Sequence, residues 1–231
     1  MKQACSSEIP LYAGVLGPDV IRQMIIAQRL GYSNLVLGIH HVWDVQKRID
    51  HALATLDTGN RLLLYSLPTF STPDQAEIIK ILQREERIVG YKTWNTEFLL
   101  NLIRWVKSIR PDFRIYHGSE EGLAQADDEV LDGIDGGVVG TGNVNPELLR
   151  RFIDTPRDAG VVSELTQLQD ALKIRSPRYK DKHDDKIKPQ IPIWRYIHAE
   201  KLALMEMGIL TSQEVFMYSD PENLFVPPQE A

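Results

Sequence analysis

Six short apolar runs recur along this chain at nearly constant spacing, and this repeat most strongly constrains the fold. Successive runs begin 23 to 27 residues apart. Each is short, rich in β-branched residues and almost continuously apolar, which is typical of strands buried on both faces. The runs cover residues 9–15, 35–39, 62–67, 88–93, 114–118 and 137–141.

The segments between these runs carry apolar residues at helical spacing. Four helices are predicted over residues 20–30, from 74 onward, 96–109 and 147–153, opened by Asp19, Asp74, Asn95 and Pro146. Strands alternating with helices predict parallel strands joined by right-handed crossovers. This spacing favours a (β/α)8 TIM barrel, which typically needs ~250 residues. A doubly wound open sheet is the rival, but the chain has no Gly-x-Gly-x-x-Gly after a strand and no P-loop.

The pattern changes near residue 155. We expect a barrel portion over residues 1–155 and a C-terminal helical region over 156–231, with helices at 160–174 and 193–208. The charged run 175–188 is more typical of a solvated loop than of a binding patch. The predicted fold is therefore an incomplete (β/α)8 TIM barrel of six visible βα units with a C-terminal helical appendage.

Composition narrows the function classes. The 231 residues are 43% hydrophobic, which excludes a mostly disordered chain. The 26 basic residues against 32 acidic ones argue against a broad nucleic-acid-binding face. The chain lacks an apolar run of ~18–20 residues for a bilayer, and its N-terminus lacks an apolar signal core. With Cys5 as the single cysteine, we expect a cytoplasmic protein without an intramolecular disulfide.

Active sites of barrels lie at the carboxyl ends of the strands, and this rule singles out Lys92. It interrupts the apolar run Ile88-Val89-Gly90-Tyr91-Lys92. A lysine in a barrel mouth loses hydration, which lowers its pKa, and a neutral amine can attack a ketone to form a Schiff base. The alternative is that Lys92 simply leaves the strand into solvent.

Other strand ends carry weaker candidates. Tyr65 could shuttle protons beside such a lysine, or could be a packed core tyrosine. The adjacent His40 and His41 point to opposite faces of a strand, so a metal site is not expected. The Gly-rich stretch 136–143 could cradle a phosphate or let the backbone approach a small ligand.

The motifs together resemble the dihydrodipicolinate synthase / N-acetylneuraminate lyase family of Schiff-base aldolases. Leu64-Tyr65-Ser66-Leu67-Pro68 is similar to the family's Leu-Tyr-Asn-x-Pro segment, and residues 88–92 are similar to its Ile-x-Gly-x-Lys strand. Residues 116–120 resemble the next strand end, and residues 133–146 resemble the Gly-rich strand with its Asn-x-x-Pro turn. The resemblance extends over residues 9–153.

This resemblance implies roles for several residues. Lys92 would form the imine with pyruvate or another 2-oxo acid, and Tyr65 would relay protons. Val139 would line the keto-acid pocket with its backbone, near Gly118, and Thr141, Phe70 and His41 are further candidates for substrate contacts. The resemblance also implies that neither a metal nor an organic cofactor is needed, and that the protein is a homo-oligomer, usually a tetramer.

Three departures from the family pattern qualify this expectation. If residues 9–15 form the family's third strand, the first two βα units and their carboxylate-binding loop are missing. Phe70 stands where the synthases carry an arginine, and an apolar ring cannot pair with a carboxylate. His41 lies where a tyrosine is expected and is a candidate polar substitute.

Three hypotheses follow from the sequence. The first is a Schiff-base lyase or aldolase acting on a 2-oxo acid, closer to the sugar-acid lyases than to the synthase. The second is a truncated, non-catalytic member that binds a partner or oligomerises through its open strand edges. The third is an incomplete chain. A phosphate-binding barrel of another family is a weaker fourth.

Overall fold

The structure is a computed structural model that describes residues 11–15, 19–39, 44–66, 75–174 and 203–209. Strands and helices alternate through most of this length. The strands are β1 (Tyr12–Val15), β2 (Asn34–Ile39), β3 (Arg61–Ser66), β4 (Ile88–Thr93), β5 (Arg114–His117) and β6 (Gly136–Gly137). The helices are α1 (Val20–Arg29), α2 (Val45–Thr55), α3 (Gln75–Arg84), α4 (Thr96–Leu102), α5 (Glu120–Gln125), α6 (Asp128–Gly133), α7 (Thr141–Val144), α8 (Pro146–Asp154) and α9 (Ala159–Ile174).

All six strands are parallel and stand in the sheet in chain order, from β1 to β6. Each strand therefore pairs with the next one along the chain, as in successive units of a TIM barrel. The predicted alternation of strands and helices is confirmed, and the architecture is that of a partial (β/α)8 barrel.

Alternation along each strand separates the two faces of the sheet. On β4, Tyr91 is fully buried and meets the ring of Phe98 on α4 edge to face, with the ring centroids 5.1 Å apart. Tyr91 therefore points towards the helices, and the adjacent Lys92 points to the opposite, inner face. The helix-facing side carries the main core, which includes Leu35, Leu37, Leu62, Leu64, Ile88, Ile115, Leu99 and Leu102.

Short polar side chains begin most of the helices by accepting a backbone N–H of the first turn, as N-caps do. These residues are Asp19, Asp44, Asn95, Ser119, Asp127 and Asn145. The predicted cap at Asn95 is confirmed, but the helix that it opens is irregular. Regular α-helix ends at Leu102, and residues Ile103–Lys107 continue as a π-helical turn.

The sixth strand differs from its prediction. The expected strand at 137–141 is only Gly136–Gly137, and Thr141 already begins α7. The strand ends early because the backbone N–H and the hydroxyl of Thr141 are both bonded to the carboxylate of Glu120, which holds the chain outside the sheet. Helices α5 and α6 were also missed, since each spans only six residues.

The last long helix, α9, packs against the barrel rather than standing apart. A second apolar cluster joins it to α5 and α8 through Leu123, Leu148, Phe152, Val161 and Leu165. Beyond it, residues 203–206 are helical and residues 207–209 form a turn. Residues 193–202 of the predicted helix 193–208 lie outside the described residues. The division of the chain at residue 155 stays a prediction. No helix in the described part of the chain is long and apolar enough to cross a membrane.

Candidate active site

Three side chains form a row across the inner face of the sheet near the carboxyl ends of its strands. Tyr65 on β3 lies directly opposite Lys92 on β4, and Lys92 lies directly opposite Tyr116 on β5. Residues opposite each other in adjacent parallel strands point the same way, so these three side chains are neighbours. The two residues predicted from the sequence to carry the chemistry, Lys92 and Tyr65, are therefore brought together.

The contact between Lys92 and Tyr65 is direct. The Nζ atom of Lys92 lies 4.3 Å from the centroid of the Tyr65 ring, within cation–π range. Burial raises the pKa of Tyr65 from 10.0 to about 12, so its phenol is protonated at neutral pH. The pair thus combines an amine with a neutral hydroxyl at one strand end.

Gly118 lies against the side chain of Lys92. A Cβ atom added at Gly118 would lie 3.1 Å from Cε of Lys92, which is tighter than ordinary van der Waals contact. The Gly118 N–H donates to the carbonyl of Thr93 at 2.8 Å, next to the lysine. The absence of a side chain at Gly118 therefore makes room for the stem of Lys92.

Tyr116 lies in the motif 116–120, but the sequence alone assigns it no role in the site. It is partly buried on the inner face, and desolvation raises its pKa, with smaller contributions from Tyr12 and Asp135. Counting two residues back from Gly118 would have identified it, since alternate residues of a strand share a face.

The segment after β6 contains Val139 and Thr141, whose predicted substrate contacts stay predictions. The side chain of Val139 packs against the cluster that contains Leu123 and Leu148, which is compatible with the predicted contact through its backbone. Its neighbour Val138 is 46% exposed, and the Val138 N–H donates to the His117 carbonyl at 2.9 Å. Thr141 is fully buried, so a substrate contact through its hydroxyl would require exchange of its bond to Glu120.

His117 is buried on the helix-facing side of β5, next to Gly118. Its Nδ1 accepts the Ser119 N–H at 3.1 Å, while its Nε2 has no hydrogen-bond partner among the described residues. Burial lowers the pKa of His117 from 6.5 to about 4, against a smaller opposite effect of Glu120. The imidazole is therefore neutral at pH 7.

We expect this histidine to make the fold acid-sensitive. The unfolded chain takes up the proton near pH 6.5, whereas the native one resists it until about pH 4. Stability from this group is therefore present above pH 6.5 and is lost as the pH falls towards 4, by about 3 kcal/mol in the free energy of unfolding. Urea denaturation across this range measures the loss.

The matched comparison is between two histidine variants. His117→Gln should remove much of the acid-dependent loss of stability, whereas His51→Gln, at an exposed position on α2, should retain all of it. An identical pH dependence in both variants would show that His117 does not carry the effect.

His41 and Phe70 lie outside the described residues. Their predicted substrate contacts therefore stay predictions.

Comparison with known proteins matches this chain to a family. A model of the dihydrodipicolinate synthetase family matches residues 45–181, more than half of the chain. This match includes β3, β4, β5 and β6, and with them Tyr65, Lys92 and Gly118.

Solved structures of similar fold include synthases and lyases. One is the prophage protein YagE from E. coli K12, a member of the dihydrodipicolinic acid synthase family in complex with pyruvate, at 18% identity and a TM-score of 0.62 over 88% of this chain and 77% of that one. A dihydrodipicolinate synthase from Thermotoga maritima matches at 15% identity and a TM-score of 0.58, with the same coverage. An N-acetylneuraminate lyase from Mycoplasma synoviae matches at 15% identity and 0.60, over 94% of this chain and 71% of that one.

Proposed function

The chain belongs to the dihydrodipicolinate synthetase family, and from that premise we propose that it is a class I aldolase or lyase whose Lys92 forms a Schiff base with a 2-oxo acid. The observation that carries the proposal is the contact of the Lys92 amine with the Tyr65 ring at 4.3 Å, at the carboxyl end of a central strand. Solved structures of the same fold include proteins named as a lyase and a synthase, which supports aldolase-type chemistry at the level of the family.

The proposed reaction begins with attack of the neutral Lys92 amine on the keto carbon of the 2-oxo acid. The resulting carbinolamine takes a proton on its hydroxyl and loses water, leaving an iminium. The positive nitrogen then draws electrons from the neighbouring bond, so that a C–C bond to an aldehyde carbon can form through the enamine or break to release it. Water finally hydrolyses the iminium and returns the free amine.

Tyr65 is the proposed proton carrier for these steps. Its phenol is neutral at pH 7 because burial raises its pKa to about 12, so it can donate a proton to the departing hydroxyl and recover it later. A phenolate would instead hold the Lys92 ammonium in an ion pair and disfavour attack.

The size of the ligand follows from the row of side chains. Tyr65 and Tyr116 flank Lys92 in register, and Gly118 leaves space beside its stem. A compact 2-oxo acid such as pyruvate suits this setting, and pyruvate is the ligand of the similar E. coli protein. We propose that Val139 contributes its backbone to this pocket and that the exposed Val138 supplies the neighbouring aliphatic side chain. The cytoplasmic location and the homotetramer stay predictions from the sequence.

Borohydride trapping with pyruvate tests the proposal. Reduction of the iminium would add pyruvate covalently to Lys92, and peptide mapping by mass spectrometry would locate the adduct. Absence of any adduct on this lysine at saturating pyruvate would refute the imine mechanism. That result would favour the second candidate, a non-catalytic binding member of the family whose sheet has β1 and β6 at its edges.

Tyr65→Phe should slow imine formation by about a hundredfold, the usual size of a lost general acid–base group. The ring that contacts Lys92 remains, so pyruvate binding and the fold should change little. The measurement is the rate of adduct accumulation under borohydride at several pyruvate concentrations. Tyr32→Phe, on the loop between α1 and β2, is the matched control and should label at the wild-type rate.

A further inference from the structure

A buried glutamate joins the segment after β5 to the segment after β6. Oε1 of Glu120 accepts the backbone N–H of Thr141 at 2.9 Å and the hydroxyl of Thr141 at 3.0 Å. Glu120 is 7% exposed and Thr141 is fully buried. Since Glu120 begins the helix after β5 and Thr141 begins the helix after β6, one oxygen ties the exits of two adjacent strands together.

A carboxylate is a costly choice for packing alone. Removing a charged group from water carries a penalty of several kcal/mol unless hydrogen bonds replace the lost hydration. An apolar residue would fill the same space without that penalty. Its two hydrogen bonds with Thr141 therefore indicate that the carboxylate fixes the position of Thr141 and does more than fill space.

The geometry that Glu120 defines reaches the candidate site through the chain on either side of it. Gly118, two residues before it, lies against the Lys92 stem. On the other loop, Val138 is held at one end by the bond of its N–H to the His117 carbonyl, and residues 139–141 are held at the other by Glu120. The segment 138–141 is thus fixed at both ends, and its anchor His117 adjoins Gly118, which lies against the lysine.

We propose that Glu120 is a positioning residue that holds segment 138–141 in place to receive the 2-oxo acid. This inference rests on the proposed function for its kinetic consequence, but the placement of the segment can be measured independently. Without the carboxylate, the Thr141 amide and hydroxyl lose their acceptor and the segment beside the substrate is released.

The experiment compares substitutions at both ends of the contact. Glu120→Ala removes both bonds, and we expect the pyruvate concentration for half-maximal borohydride labelling to rise about tenfold. Glu120→Gln keeps an oxygen in the Oε1 position and should restore labelling to near wild type. Thr141→Val removes the hydroxyl bond but keeps the amide bond, so its value should fall between the two.

Two further readouts separate positioning from folding and from the chemistry. Labelling rates at saturating pyruvate should stay near wild type in all three variants, because Lys92 itself is intact. Glu121→Ala, at the exposed neighbour on the same helix, is the control and should match wild type. Hydrogen exchange at amides 138–141 should accelerate in Glu120→Ala more than exchange in β3 and β4.

The outcomes distinguish the two proposals. If wild type labels and Glu120→Ala loses thermal stability without a change in half-saturation, the positioning role is overturned. If wild type forms no adduct with pyruvate, the proposed function fails instead. The exchange measurement then decides the positioning role: faster exchange confined to 138–141 supports it, and unchanged exchange overturns it.

Discussion

Replacing Lys92 with methionine should abolish the borohydride-trapped adduct with pyruvate while leaving the fold in place. Methionine keeps a long unbranched side chain that can lie over the Tyr65 ring and beside Gly118. It lacks the amine, so neither the carbinolamine nor the iminium can form. Intact-mass spectrometry after reduction should show labelling fall to background, and circular dichroism should show an unchanged helix and strand content.

Two companion variants define what a loss of labelling means. Lys92→Arg keeps the positive charge but supplies a guanidinium that stays protonated and is a poor nucleophile, so it should also fail to label. Lys80→Met removes an exposed lysine from α3 and should label like wild type. An adduct that persists in Lys92→Met, on any other lysine, would contradict the assignment of the nucleophile.

The sequence was sufficient to identify this lysine because its signals are local. An apolar run interrupted by a lysine marks both a strand and its carboxyl end, and the even spacing of such runs gives a parallel sheet in chain order. Two strand ends in consecutive runs then have to lie side by side, so the repeat places Tyr65 and Lys92 on adjacent strand ends, although it does not give their exact register. No knowledge of distant contacts is required for that step.

The assignments beyond β5 depended on information that no local pattern contains. Whether Val138 or Val139 is exposed depends on where β6 ends, and the strand ends at Gly137 because Glu120 holds Thr141 from 21 residues away. The role of Glu120 could not be foreseen for the same reason: in the sequence it is one of two adjacent glutamates. Only packing distinguishes Glu120, which is buried, from the exposed Glu121.

The pairing of β3 with β4 sets a further limit on sequence reasoning. The register shifts between Leu62 and Leu63, so that Leu62 lies opposite Ile88 while Leu63 lies opposite Gly90. Counting from the starts of the two runs would therefore misplace every later pair by one residue. The shift lies just before Gly90, where β4 runs close to the backbone of Arg114 on β5.

Gly90→Ala should be strongly destabilising, although alanine is normally better than glycine within a strand by roughly 0.5–1 kcal/mol. A Cβ atom at Gly90 would lie 2.6 Å from the carbonyl oxygen of Arg114 and 3.1 Å from its Cβ. The carbonyl belongs to the backbone of the adjacent strand, so it cannot move aside as a flexible side chain would. Strands β4 and β5 would have to separate, and we expect the free energy of unfolding to fall by about 2–3 kcal/mol.

Gly59→Ala is the matched control for this substitution. Gly59 has a φ of +85° with nothing within 4 Å of an added Cβ, so alanine there costs only the backbone strain of about 1 kcal/mol. Urea denaturation of both variants separates the two effects, and equal or greater stability of Gly90→Ala relative to wild type would contradict the close approach of the strands.

Because Lys92 lies two residues beyond Gly90 on the same face, the folded fraction of Gly90→Ala should also label more slowly with pyruvate, whereas Gly59→Ala should label at the wild-type rate. Glycine in this strand would then serve the site as well as the fold, by letting β5 approach closely enough to bring Gly118 against the lysine.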